Sequence, residues 1–269
     1  MKRKINSLSV SYMLFLIILF LSGSTKGIWS EVVYFAAFVV PFVLSIMEIK
    51  GEKNDKTQYL TLDREDVKLT LISTAPAIAV VLSLSLLTSS IVTAVTGATN
   101  NVQLGNSLIL AIIYHALAPA LLEEMLFRYL PMRLLANHSK RVTVFVSALF
   151  FALIHHSFFS MPYAFVAGVI FMILDLVCES IWPSVIIHFL NNMLSVLLIF
   201  YSNRPIFVAI SLALLGIFAT VSLIFFILKR KIYLPRLNKS LSEGEKFSFN
   251  FNMLIFSLFA VFIAILTIV

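Results

Sequence analysis

Residues 206–228 read IFVAISLALLGIFATVSLIFFIL. Twenty-three positions pass without one ionisable side chain. At 1.5 Å per residue a helix of that length spans about 35 Å, enough to cross the ~30 Å hydrocarbon core of a bilayer. The stretch is apolar on every face, so it does not rest one side in water. It reads as a membrane span, and the rest of the chain follows the same pattern.

Of the 269 residues, 60% are hydrophobic and 12% are charged, and the mean hydropathy is +1.01. Soluble domains carry about 25% charged residues. A water-soluble globule of this size cannot hide so much apolar surface, because much of any folded surface faces water. A soluble enzyme, a nucleic-acid-binding domain and a disordered chain are therefore excluded. Nucleic acid is not an expected partner; the lipid bilayer is. The single cysteine, Cys178, cannot form an internal disulfide, supports no Cys/His zinc pattern, and reads as a small apolar residue.

Nine apolar stretches approach the length of a span: roughly 8–24, 30–48, 68–95, 106–127, 142–159, 162–177, 181–201, 206–228 and 250–269. The sixth is short. The first follows Lys2, Arg3 and Lys4 and so resembles a signal peptide, but no small-residue cleavage site follows it. With a cytoplasmic N-terminus, 18 of the 20 Lys and Arg fall in the segments 1–7, 49–68, 128–141 and 229–249. Only Lys26 and Arg204 fall on the other side. This is the asymmetry of the positive-inside rule, and it accounts for the net charge of +7. Strands are not expected, because open sheet does not survive in lipid and alternating ten-residue segments are absent. The expected fold is an all-α polytopic transmembrane bundle of about eight to nine spans. The linkers 49–67 and 229–249 mix charge signs and read as solvated connectors.

An ionisable side chain costs roughly 2.5–3.5 kcal/mol or more at mid-membrane, so those within the spans generally have a role. One cluster is Glu123-Glu124-Met125-Leu126-Phe127-Arg128 in span four. Adjacent carboxylates point about 100° apart on a helix. Glu124 and Arg128 stand i,i+4, the spacing of an ion pair, which leaves Glu123 to face another neighbour as a general base. A second cluster is Phe151 to His155 and His156 in span five. The third is His188-Phe189-Leu190-Asn191-Asn192 in span seven, where His188 and Asn192 share one face. Each alone reads equally as a packing or interfacial feature. Together they supply a carboxylate, two imidazoles and an amide from three helices, the set that water activation and oxyanion stabilisation require.

Depth is a tension in this reading. Glu123 lies about 17 residues from the outer end of its span and His155 about 13 from the inner end of its own, so by helix rise they differ by up to ~10 Å. Span five must start outside the hydrocarbon or tilt for the two to meet. His115 precedes Glu123 by two turns but about 80° around the helix, and Asp175 sits near the inner end of span six. Both are weaker candidates.

At these residues the chain resembles the CAAX-protease and bacteriocin-processing (CPBP, or Abi) family of intramembrane proteases, which includes the type II CAAX prenyl proteases. The family's E-E-x-x-x-R, F-x-x-x-H and H-x-x-x-N/D motifs stand here, in order, as Glu123-Glu124-x-x-x-Arg128, Phe151-x-x-x-His155 and His188-x-x-x-Asn192. Ala118-Pro119, Gly168 and Ser180-Ile181-Trp182 add to the likeness, which covers roughly residues 107–200. Two positions depart from the pattern: Tyr129 stands where Gly often follows the arginine, and Met172 where a second small residue often follows Gly168. Both bear on helix packing more than on chemistry.

The resemblance implies three segments: N-terminal spans and a cytoplasmic linker over 1–105, a catalytic core over 106–201, and C-terminal spans over 202–269. It implies an intramembrane endopeptidase acting on a membrane-associated peptide or protein, with links to peptide or bacteriocin maturation and to self-immunity. Glu123 and His155 would activate a water. His188 and Asn192 would form the oxyanion hole, and Glu124 and Arg128 would hold the geometry. For a cofactor it leaves two readings open, none or a zinc ion held by Glu123, His155 and His188; the H-E-x-x-H helix of zincins is absent. A Phe-, Ile- and Lys-leaning composition suggests a bacterial cell membrane. The competing readings are a small proton-coupled transporter using Glu123, His155 and Asp175, and a non-catalytic partner of a membrane sensor or receptor.

Overall fold

The computed structural model describes residues 2–23, 28–49, 59–97, 104–155, 157 and 159–242. Among them the chain is helical and forms no strand; one parallel single-residue bridge joins Tyr59 to Ser180. The helices are α1 (Lys2–Gly23), α2 (Ile28–Ile49), α3 (Arg64–Thr96), α4 (Leu108–Leu134), α5 (Lys140–Leu153), α6 (Met161–Cys178), α7 (Trp182–Phe200), α8 (Pro205–Leu228) and α9 (Arg230–Ser242). Five of them, α3, α4, α6, α7 and α8, are long and apolar enough to cross a membrane. In α1 and α2 the apolar runs are shorter, Ser7–Leu21 and Val32–Met47. The expected ninth span, 250–269, lies outside the described residues, as does His156.

The fifth expected span is shorter than the sequence suggests. It begins at Lys140 and ends at Leu153, a helix of 14 residues and about 21 Å. Turns then carry the chain to α6. The depth tension is answered by α4, which runs to Leu134, seven residues past the expected inner end of span four. By helix rise, His155 stands about 22 Å from Lys140 and Glu123 about 17 Å from Leu134, so the two reach similar levels.

The linker 229–249 also departs from expectation. Its first half is α9, which packs on the ends of α6 and α5. Arg236 on α9 pairs with Asp66, which is buried at the start of α3. The same end of the bundle carries the Tyr59–Ser180 bridge, and Trp182 Nε1 donates to the Leu60 carbonyl there at 2.8 Å. All the basic loops among the described residues except Arg204 gather at this end. At the opposite end, Thr88 Oγ1 donates to the Phe159 carbonyl at 2.9 Å, tying α3 to the α5–α6 turn.

Local sequence explains the helix ends. Asp63 caps α3 by accepting from the Asp66 N–H at 2.8 Å, and Glu65 and Asp66 follow in the first turn, where the helix dipole favours anions. That backbone N–H holds the Asp63 carboxyl below the usual carboxylate range. Gly97 closes α3 at φ 71°, donating to the Thr93 carbonyl. Packing is closest between α5 and α6. A Cβ at Gly168 would stand 2.7 Å from the Ala148 Cα, so only glycine allows that approach. Tyr129 and Met172, the two departures from the family pattern, are both buried in the cluster around Val185 and Leu176. By contrast, α8 has no buried residue, as expected of a helix facing lipid.

Candidate active site

Two widened turns interrupt α4, at Ile113–Leu117 and Met125–Tyr129. Each is centred four residues before a proline, on His115 for Pro119 and on Phe127 for Pro131. A proline ring inside a helix clashes with the carbonyl four residues back and donates no N–H to it. Widening the turn relieves the clash, and such π-type bulges concentrate at functional sites. The orphaned Phe127 carbonyl accepts from Ser147 Oγ of α5 at 2.5 Å. The second bulge therefore joins α4 to α5 beside the carboxylate pair.

Between the bulges stand Glu123 and Glu124, both buried. Glu124 holds two partners at once. Its Oε1 accepts from His188 Nδ1 at 2.6 Å, and its Oε2 lies 3.1 Å from Arg128 Nε. Arg128 is wholly buried, and its Nη1 and Nη2 have no hydrogen-bond partner. Its guanidinium instead lies over the Phe151 ring, 4.2 Å from the centroid, with Phe171 at 5.5 Å. A cation over an aromatic face gains about 2 kcal/mol when desolvated. The same Phe151 ring meets His155 edge-on at 5.0 Å and His188 at 5.8 Å. The motif phenylalanine thus packs against three of the polar residues.

The other ring nitrogen of His188, Nε2, is 3.9 Å from Glu123 Oε2, an oxygen that is buried without a hydrogen-bond partner. His155 Nδ1 donates to the Phe151 carbonyl at 2.8 Å, which fixes Nε2 as its accepting nitrogen. Asn192 Oδ1 accepts from Asn191 Nδ2 at 3.2 Å. Glu123, His155, His188 and Asn192, from α4, the turn after α5, and α7, line one cavity of about 330 Å³. Every residue expected from the motifs is therefore at this cavity or, for Glu124 and Arg128, directly behind it.

Asp175 is not at the cavity. It is buried beneath α7, where its Oδ1 accepts from the Ser184 N–H at 2.9 Å, so it completes the first turn of the helix that carries His188. The proton path through Glu123, His155 and Asp175 is not assembled. The sequence reading set aside His115, yet it lines the same cavity as Glu123. Tyr34 of α2 and Ser85 of α3 line it too, from outside the motif region.

Among the described residues no three His, Cys, Asp or Glu side chains are grouped to hold a metal ion. Glu124 occupies Nδ1 of His188, which leaves Nε2, 3.9 Å from Glu123 Oε2, as the ring nitrogen that faces the cavity carboxylate.

Residues 105–194 match the family model Rce1-like, described as type II CAAX prenyl endopeptidase Rce1-like. Over these residues the chain is similar to that family. The match spans all three motifs, from the turn before α4 to just past Asn192, and so includes Glu123, His155, His188 and Asn192 of the cavity. No curated protein and no solved structure matches the chain. The matched segment sits in a chain that is helical over its described residues and has five helices there long and apolar enough to cross a membrane, as in a multi-pass membrane protein.

Proposed function

We propose that the chain is an intramembrane endopeptidase that hydrolyses a peptide bond in a membrane-associated peptide or protein. One observation carries this: the carboxylate, two imidazoles and amide of the three motifs line a single cavity within the span region. Glu123 takes the proton of the attacking water, with His155 Nε2 as second acceptor. His188 and Asn192 stabilise the oxyanion. Because Nδ1 of His188 already donates to Glu124, donation from Nε2 makes the ring an imidazolium. Its charge and that of Arg128 then balance the two glutamates, and a buried cluster with no net charge avoids an uncompensated ion. Glu124 and Arg128 set the position of His188.

The basic end of the bundle is the cytoplasmic end, as the Lys and Arg asymmetry requires. Leu104, Tyr34 and Ile199, which line the cavity, lie toward the other end of their helices. The substrate therefore approaches from the non-cytoplasmic side of what composition suggests is a bacterial cell membrane. The residues outside 105–194 are proposed to shape that approach.

The test compares membrane-peptide profiles of cells carrying the wild type and Glu123→Gln. Carbonyl-retaining Gln keeps the size of the side chain but cannot accept the proton, so the product peptides should disappear, a loss of at least about 10²-fold. Equal product from both refutes the proposal. Treatment of the purified protein with a zinc chelator should leave cleavage intact, and loss restored by added zinc would reassign Glu123 as a ligand.

A further inference from the structure

His115 belongs to the first widened turn of α4. In a regular helix, eight residues at 100° put it about 80° away from Glu123. His115 stands at the middle of that widened turn, so about half of the ~100° that one extra residue withdraws falls between the two and leaves them within about 30°. Pro119 thus aligns His115 with Glu123, and both line the cavity, where the His115 side chain is exposed. On the facing helix α7, His188, Asn191 and Ser195 succeed one another at i, i+3 and i+7, and all three line the same cavity. Asn191 is held by its hydrogen bond to Asn192, and Ser195 Oγ donates to the Asn191 carbonyl at 3.0 Å. The turn carrying His115 packs against α7. Two polar stripes therefore rise side by side from the reacting groups toward the non-cytoplasmic end.

We propose that His115, together with Asn191 and Ser195, forms a substrate-binding wall that holds an extended peptide segment at a distance from the scissile bond. This rests on the protease reading above. Its register follows from the helix. His115 is about 12 Å above Glu123 by rise, and an extended chain advances about 3.3 Å per residue. His115 meets the substrate between three and four residues from the cleaved bond. Imidazole, amide and hydroxyl groups are hydrogen-bonding partners for peptide groups and carry no carboxylate, so the wall selects extended polypeptide rather than a cationic side chain.

The experiment uses the full-length protein in detergent micelles with palmitoylated, internally quenched apolar peptides. A short form ends two residues beyond the scissile bond, and a long form ends six beyond it, with extension on each side in turn. His115→Ala should lower kcat/KM for one long form about tenfold more than for the short form, mostly through KM, the effect of about one lost hydrogen bond. The ratio cancels any difference in folded fraction. His115→Asn, which keeps a hydrogen-bonding group, should recover most of the difference. Equal losses on long and short forms, or complete loss on both, overturn the wall and leave the protease reading standing. A wild type that cleaves none of the peptides overturns both.

Discussion

Arg128 is a fully buried charge, and its removal has a definite cost. It is wholly buried, pairs with Glu124 through Nε, stacks on Phe151, and has no hydrogen-bond partner at Nη1 or Nη2. Arg128→Met fills much of the volume but leaves Glu124 as a buried carboxylate with no cationic partner except His188. Breaking a buried pair from one side costs about 3–5 kcal/mol, and the lost cation–π contact lies within that figure. For a chain of this length about 1 kcal/mol moves the melting temperature by roughly 2–4 °C. Arg128→Met should therefore melt about 6–20 °C lower in detergent.

The double variant Glu124→Gln/Arg128→Met removes both charges and keeps an oxygen for His188 Nδ1–H. A neutral, packed pair in place of a buried ion pair is often as stable as the original, so the double variant should recover most of the loss. Activity should not recover with it, because without the Glu124 charge an imidazolium at His188 loses its nearest counter-ion. Melting of the wild type and both variants by tryptophan fluorescence, with cleavage measured on the same samples, separates the two effects. A double variant as unstable as Arg128→Met would show that no buried pair is at work. A stable and active double variant would refute the positioning role.

Gly168→Ala should be disabling despite its size, because the new methyl would stand 2.7 Å from the Ala148 Cα and force α5 from α6. Overpacking of this kind costs about 1–3 kcal/mol, and thermal melting together with loss of cleavage checks it; a neutral outcome would show that the interface yields easily. The orientation is checked by thiol labelling in intact cells, with Cys178 buried and so giving little background. Ser202→Cys should react with a membrane-impermeant maleimide from outside, and Asn238→Cys only after permeabilisation; the reverse pattern would place the cavity on the cytoplasmic side.

Helix identity and the polar site were legible in the sequence because lipid makes both conspicuous. A run such as 206–228 has no soluble alternative, and a Glu, His or Asn within such runs has few reasons to be there. The ion pair of Glu124 and Arg128 follows from their i,i+4 spacing, and the structure keeps it. Lengths were less legible. Hydropathy does not distinguish a 14-residue helix followed by turns from a full span, since 142–159 holds no Asp, Glu, Lys or Arg, and it does not show that α4 runs on to Leu134, so the levelling of Glu123 with His155 was visible only as a conflict of depths. His115 ranks as a weaker candidate in the sequence for a different reason. Its cause, Pro119, is plain in the sequence, but Pro41 and Pro76 lie inside α2 and α3 without widening them. Whether a proline kinks, widens or merely weakens a helix depends on where the orphaned carbonyl finds a partner, as Phe127 does in Ser147. That partner sits twenty residues away on another helix, so facial phase beyond a proline has to be treated as free by one residue. A polar side chain about 80° off the active face and four residues before a proline is then a candidate for that face, which is the position His115 holds relative to Glu123.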